Sequence, residues 1–326
     1  MRITARVQYY RRIFFAYLSP ACSQLRFWHD TPAVNERASL HELGEYYMGF
    51  EAKAAYKGPA DSIGIPLLDY HGRIGRQYNP IAIAQWGLGN YNLAQRDAGA
   101  DHRPKFIKAA DWLCHTLERN HFGIWVWNHD FDWEYRQCLK APWYSALAQG
   151  QGISLLVRVH RDTGNSGYLD AAQRAFSSLL LPIEKGGVQF TDERGDLWLE
   201  EYLVTPATHI LNGFIWALWG VYDYHLATGD LRAHDLFYRC AQTLARNLER
   251  YDLGYWSLYE LSGARLPMVA SPFYHHLHIV QLRILSQLTG VSCFARVAAR
   301  WENYGHSRAN LARALCYKSA FKLCYY

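Results

Sequence analysis

His225-Leu-Ala-Thr-Gly-Asp-Leu231 closes one helical pattern and opens another. Upstream of it, Ile210, Phe214, Ala217, Leu218 and Val221 recur at helical spacing, which predicts a helix over 206–227 with a defined buried face. Gly229 suits the C′ position, where a left-handed backbone carries no Cβ penalty, and Asp230 suits the N-cap of a second helix over 231–250. The same punctuation recurs at Ala98-Gly99, Thr163-Gly164 and Thr289-Gly290, with successive glycines 65, 65 and 61 residues apart. Each turn separates two helical patterns: 79–96 from 102–119, 143–161 from 167–181, 206–227 from 231–250, and 275–288 from 292–303. Asp101, Ser166, Asp230 and Ser292 are the candidate caps of the second helices.

A period this regular predicts stacked αα-hairpins. Four of them closed into a ring give a mainly α fold, an α/α toroid with a deep cavity at one end. Three Gly- and aromatic-rich segments, Gly123-Ile-Trp-Val-Trp127, Gly187-Val-Gln-Phe190 and Gly254-Tyr-Trp-Ser-Leu-Tyr259, predict short β-hairpins across one end of the helices. The toroid is expected over 38–306, between a basic leader (1–37) and a basic tail (307–326).

Half of the 326 residues are hydrophobic, enough for one large core. No apolar run reaches the ~18 residues that span a membrane. The net charge of +5 sits at the ends: residues 1–30 and 307–326 carry +4 each, which leaves the body at −3. That distribution gives no case for a nucleic-acid groove. For the ends, solvated tails are preferred over contact with an anionic membrane surface. Seven cysteines with no CxxC or Cys/His metal spacing fit a reducing compartment, so the expected location is cytoplasmic or membrane-peripheral. Arg11-Arg12-Ile-Phe14-Phe15 resembles a twin-arginine export core, but the apolar stretch after it ends at Leu18, so export is not favoured.

In a radial arrangement the first helices of all four units begin at the same end. The segments before them then converge: Tyr78-Asn79-Pro80, Ala141-Pro142-Trp143-Tyr144, Glu200-Glu201-Tyr202, and Ser271-Pro272-Phe273-Tyr274-His275. In the third, Thr205 suits an N-cap and Pro206 the first helical position. The Glu200-Glu201 pair has two readings, solvated first-turn charges or carboxylates at a cavity rim. Tyrosines at every junction, with Tyr259 on a hairpin, favour a lined cavity. Gly-rich phosphate loops, HExxH and Gly-x-Ser-x-Gly are missing, so nucleotide, zinc-protease and serine-hydrolase chemistries have no support. His276 and His278 have no carboxylate at metal-ligand spacing, and neither metal nor organic cofactor is expected. Aromatic faces with acids suit sugar rings. Two adjacent glutamates do not supply the separation a glycosidase needs, so the phenols point to proton transfer at carbon.

Four segments resemble the C-terminal catalytic domain of heparosan (heparan sulfate) D-glucuronyl C5-epimerases, in the family's order over roughly 40–305. They are Gly64-Ile-Pro-Leu with Tyr78-Asn-Pro-Ile-Ala-Ile-Ala-Gln-Trp-Gly-Leu88; Trp143-Tyr-Ser-Ala-Leu-Ala-Gln-Gly-Gln-Gly-Ile-Ser-Leu-Leu-Val-Arg158; Glu200-Glu-Tyr with Leu211-Asn-Gly-Phe214; and Tyr274-His275 with His278 and Gln281-Leu282. The resemblance implies inversion of glucuronic acid to iduronic acid within a polysaccharide, through loss and return of the C5 proton. It implies that Glu201-Tyr202 and Tyr274, with Tyr259 beside them, supply the proton chemistry. It implies that Tyr78, Gln85, Tyr144, Gln149, Arg158, Glu200, Asn212 and His275 orient sugar and carboxylate, although a structural ion pair is an equal reading of Arg158. Family members can be dimeric, and Phe321 to Tyr326 is the candidate contact. Animal members carry a β-rich domain where Asn90-Tyr91 here runs almost directly to Ala109-Ala-Asp-Trp112, and an Arg where Ser262 stands, with Arg265 the nearest Arg. The expected partner is an anionic, heparosan-like polysaccharide. A polysaccharide lyase and a non-catalytic carbohydrate-binding toroid are the competing readings.

Overall fold

The computed structural model describes residues 27–28, 30–96 and 99–325. Most of the basic leader, including Arg11-Arg12, lies outside the described residues. So do Ala98 and Tyr326.

Left-handed glycines set the repeat. Gly164, Gly229 and Gly290 all have φ 70°, and each donates its N–H to the carbonyl four residues back. They end α4 (Ala146–Thr163), α6 (Leu211–Thr228) and α8 (Pro272–Thr289), the successors of α2 (Pro80–Gln95). A short α1 (Glu51–Ala54) packs against α2. The return helices are α3 (His102–Thr116), α5 (Ser166–Leu179), α7 (Leu231–Asn247) and α9 (Ser292–Gly305). A last helix, α10 (Arg308–Tyr325), occupies the stretch expected as a tail.

Composition decides which helix of each pair is inside. In α2, 13 of 16 residues are buried, against 4 of 15 in α3. A helix apolar on all sides can only be surrounded, whereas a helix with one apolar stripe covers others. The inner helices accordingly pack side by side, α2 on α4, α4 on α6 and α6 on α8, each backed by its own return helix. The result is a mainly helical α/α toroid. Contact between α4 and α6 requires Gly150 and Gly220: a Cβ on Gly220 would stand 2.2 Å from the Gly150 carbonyl oxygen.

Among the described residues, four two-stranded antiparallel hairpins lie between the helices: β1 (Leu68–Asp69) with β2 (Arg76–Gln77), β3 (Glu118–Arg119) with β4 (Trp125–Val126), β5 (Trp133–Glu134) with β6 (Cys138–Leu139), and β7 (Gln189–Thr191) with β8 (Leu197–Leu199). The expected hairpin around Gly254 is reduced to single bridges, Asp252 with Ser257 and Leu258 with Val269.

Some expected helix starts are wrong. α6 begins at Leu211, so Thr205 is not its N-cap and Pro206 does not open it. The Thr205–Pro206 peptide is cis, and residues 200–210 form a loop that Glu200 folds by accepting the His209 N–H. Ala141–Pro142 is likewise cis, four residues ahead of α4, which Ser145 caps by accepting from Ala148 N–H. Of the four junction prolines, Pro80 and Pro272 stand in the first turn of an inner helix, behind the caps Asn79 and Ser271. Asp230 caps α7 as expected, but Asn165 rather than Ser166 caps α5, and neither Asp101 nor Ser292 makes a cap bond.

The barrel has two unlike ends. At the end where the inner helices finish, Arg158 of α4 makes a two-pronged ion pair with Asp223 of α6, and Tyr47 donates to the same carboxylate at 2.7 Å. Arg158 also donates to the Gly44 carbonyl, and Tyr222 to that of Leu40. The chain before α1 therefore plugs that end. The cavity lies at the other.

Candidate active site

The starts of all four inner helices contribute to a cavity of about 160 Å³: Asn79 and Ile81 from α2, Leu147 from α4, Asn212 and Trp216 from α6, and Tyr274 from α8. Glu201, Tyr202 and Tyr259 join them from the loops, with Trp28, Tyr70, His129, Phe131, Trp133 and Trp143 completing an aromatic wall.

Strand β8 fixes the Glu-Glu-Tyr segment. All three of its residues are buried, and the Glu200 carbonyl that follows accepts from Ala146 N–H at 2.9 Å, tying the segment to α4. Alternation along the chain then sends the two glutamates in different directions. Glu200 turns away from the cavity and takes both the backbone N–H (3.1 Å) and ring Nδ1 (2.5 Å) of His209, whose ring stacks on Trp198 at 4.3 Å. Its work is to hold the loop, where His209 adopts φ 47°.

Glu201 faces the cavity. It is 5% exposed, and its Oε2 is buried without a hydrogen-bond partner. That oxygen occupies the space above Gly213, where a Cβ would stand 2.0 Å from it. Burial pushes the carboxyl up to about 8; a Tyr202 hydrogen bond opposes the shift and the Glu200 charge adds to it. Near neutrality Glu201 keeps its proton. It can donate a hydrogen bond, and slightly above neutrality it becomes a base of useful strength.

Tyr202 packs on Tyr135 at 4.5 Å and edge-on to Trp143 at 5.6 Å. Burial, then the nearby Glu201 and Tyr274, push its phenol well above the usual value. Tyr259 and Tyr274, both half-buried, meet edge to face at 4.8 Å. His129 stacks flat on Trp143 at 3.8 Å, and burial pushes it down to about 3, so it is neutral. Among the described residues, no Lys or Arg lines the cavity. Among the described residues, no group of three or more His, Cys, Asp or Glu is placed to hold a metal.

The structure thus brings together five expected residues: Glu201, Tyr202, Asn212, Tyr259 and Tyr274. The others stand elsewhere. Tyr78 is exposed and donates to Asp61 at 2.8 Å. Tyr144 donates to the Gly186 carbonyl at 3.2 Å. Gln85 and Gln149 are fully buried outside the lining, with amide atoms that have no partner. Arg158 is the structural ion pair at the far end, because Asp223 needs both of its prongs. His275 stacks on Trp256 at 3.9 Å, with its Nε2 against the Trp301 carbonyl and its Nδ1 accepting from Ser257 N–H.

Sequence reasoning missed His129, Phe131 and Trp133. Their signal was a two-residue alternation in His129-Asp-Phe-Asp-Trp133, which turns every second side chain to one face. Asn79 was also missed: it caps α2 and donates to Tyr70 while lining the cavity.

Residues 119–303 match the family model described as the D-glucuronyl C5-epimerase C-terminus, and the chain belongs to that family. The D-glucuronyl C5-epimerase of Caenorhabditis elegans is 29% identical over 223 residues, 64% of this chain and 36% of the relative. An uncharacterised protein of Methanocaldococcus jannaschii is 28% identical over 198 residues, 60% of this chain and 63% of the relative. The chain therefore spans less than two thirds of either relative. Among solved structures, cellobiose 2-epimerase from Spirochaeta thermophila aligns with TM-score 0.46 at 12% identity, covering 68% of this chain and 57% of that one. The family 76 glycoside hydrolase (mannosidase) of Bacteroides thetaiotaomicron aligns with TM-score 0.46 at 11% identity, covering 80% and 70%.

Proposed function

We propose that this chain is a uronyl C5-epimerase that converts D-glucuronic acid to L-iduronic acid within a heparosan-like polysaccharide. The observation that carries this is Glu201, a buried carboxyl with a raised pKa and an unpartnered oxygen, in one cavity with Tyr202, Tyr259 and Tyr274. Family membership supports the reaction type.

The proton at C5 lies next to the sugar carboxylate. Its removal moves the C–H electron pair into the carboxylate and gives an enediolate dianion, which hydrogen-bond donors in a water-poor site stabilise. The Glu201–Tyr202 side serves one face of the ring: ionised Glu201 takes the proton, and the Tyr202 phenol beside it donates to the developing charge. On the other face Tyr274, with Tyr259 against it, delivers a phenol proton to C5, and solvent returns the proton to the phenolate. The amide of Asn212 is placed to hold a sugar or carboxylate oxygen, and the aromatic wall to meet the rings. Burial holds the Tyr202 phenol in its protonated form, ready to donate, and Tyr274 on the opposite face acts as the acid in the forward direction.

Proton NMR of unsulfated heparosan with the protein in deuterated water tests this. Deuterium at C5 together with iduronate signals is the expected outcome. Unsaturated products mean a lyase, which shares the first proton abstraction and then expels the C4 substituent. Binding without exchange on heparosan, N-sulfated heparosan and other glucuronans sinks both enzymatic readings.

A further inference from the structure

One buried carboxylate joins two walls of the cavity and has no part in the chemistry above. Glu260 is 1% exposed and follows Tyr259 directly in the chain. The Tyr135 phenol donates to its Oε2, and the Arg136 guanidinium pairs with its Oε1. Those two neighbours come from the turn of the β5–β6 hairpin, more than a hundred residues away. The Tyr135 ring backs Tyr202 at 4.5 Å, while Tyr259 backs Tyr274 at 4.8 Å. Outside the clamp, Phe321 of α10 lies 5.6 Å from the Arg136 guanidinium. Lys318 of α10 donates to the Val269 carbonyl, and Val269 bridges to Leu258 beside Tyr259.

We infer that Glu260 is a positioning residue: through Tyr135 and Arg136 it clamps the β5–β6 hairpin to the Tyr259 segment and fixes how far Tyr202 stands from the Tyr259–Tyr274 pair. The inference rests on the epimerase reading of the cavity. A carboxylate suits the task because it accepts from two neighbours at once through charge-assisted bonds, which set direction as well as distance. Proton delivery to two faces of one carbon is sensitive to that distance: a misplacement of about 1 Å costs on the order of 100-fold in rate.

The test uses how the deprotonated intermediate partitions. In deuterated water, deuterium returned to the face of origin gives exchange without inversion, and deuterium returned to the opposite face gives the epimer. A change in the fraction of folded enzyme lowers both rates equally and leaves their ratio unchanged. A change in separation alters the ratio. Tyr135→Phe removes one hydroxyl and keeps the ring on Tyr202; Glu260→Gln keeps the shape and removes the charge. Both variants are expected to lower kcat about 10-fold to 100-fold, leave KM nearly unchanged, and shift the exchange-to-epimerisation ratio in the same direction. An unaltered ratio in Tyr135→Phe overturns the inference, and this variant decides alone where Glu260→Gln fails to fold. If the unmodified protein exchanges no C5 proton, the epimerase reading fails separately. The clamp is then judged by unfolding midpoints: a double variant shifted less than the sum of the singles supports it, and additive shifts refute it.

Discussion

Two buried acids at opposite ends of the same barrel meet opposite fates. Asp223 accepts two prongs from Arg158 and a phenol from Tyr47, so both of its oxygens are paired. Glu201 keeps one oxygen without a partner and holds its proton up to about pH 8. A carboxylate surrounded by donors steadies the fold, whereas one denied them stores the affinity for a proton that chemistry needs. The closed end of the toroid is built for stability, and the open end is the one we propose for reaction.

The largest expected effect breaks the first half of that contrast. Asp223→Ala leaves the Arg158 charge buried and unpaired and is expected to remove roughly 3–5 kcal/mol of stability, read by denaturant unfolding. Glu201→Gln attacks the other half. It keeps the shape, abolishes the titration, and should lower C5 exchange by about 100-fold or more while raising the unfolding midpoint at pH 7, because the unfolded chain no longer gains by ionising there. Gly213→Ala sharpens the contrast without touching a titrating group. Its methyl displaces the Glu201 carboxyl, so exchange should fall by about 10-fold to 100-fold, and the unfolding midpoint should fall with it because the methyl also stands 2.9 Å from the Glu201 Cβ, which cannot swing aside.

The pH dependence of stability gives a fourth measurement. Unfolded, Glu201 releases its proton near its ordinary value of 4.5; folded, it holds the proton to about 8. Its contribution to stability is therefore full below about 4.5, is lost as pH rises through that window by at most roughly 1.4 kcal/mol per pH unit, and is flat above it. Unfolding midpoints across pH 5–9 should show this decline, and Glu201→Gln should remove it. Tyr78→Phe marks the small end of the scale. It loses one exposed hydrogen bond outside the cavity and should change stability by less than about 0.5 kcal/mol, with C5 exchange unchanged.

The repeat was legible because its signal is local. A glycine with positive φ at the ends of α4, α6 and α8 is a steric requirement that a single residue type satisfies; α2 departs from the expectation at Gly99 and ends on Arg96, with φ −97°. Which helix of a pair lies inside was not legible in this way: Ile210, Phe214, Ala217, Leu218 and Val221 read as one buried face, whereas α6 is buried on all sides from Leu211 to Tyr224. The start of α6 was not legible. Thr205-Pro206 has the composition of a helix start, but Glu200 reaches nine residues ahead to His209 and holds the intervening chain as a loop. Nothing in the spacing separates Glu200 from Glu201 either. Their division into a loop-holding carboxylate and a cavity-facing one depends on β8, on His209 and on the bare Cα of Gly213.

The sequence by itself determined the number of helical hairpins, the ends at which they turn, and the junctions that hold Glu201, Tyr202, Tyr259 and Tyr274, because periodicity and glycine stereochemistry act within a few residues; Asn212 came from the family resemblance alone. The tertiary structure alone decided which junction side chains meet. It withdrew Arg158 into an ion pair at the closed end, set His275 between Trp256 and Trp301, left Tyr78 in solvent, and brought His129, Phe131 and Trp133 to the cavity. Those outcomes depend on burial and on distant partners, Asp223 for Arg158 and Trp256, Ser257 and Trp301 for His275, and burial of charge is a property of the packed chain that no local pattern encodes.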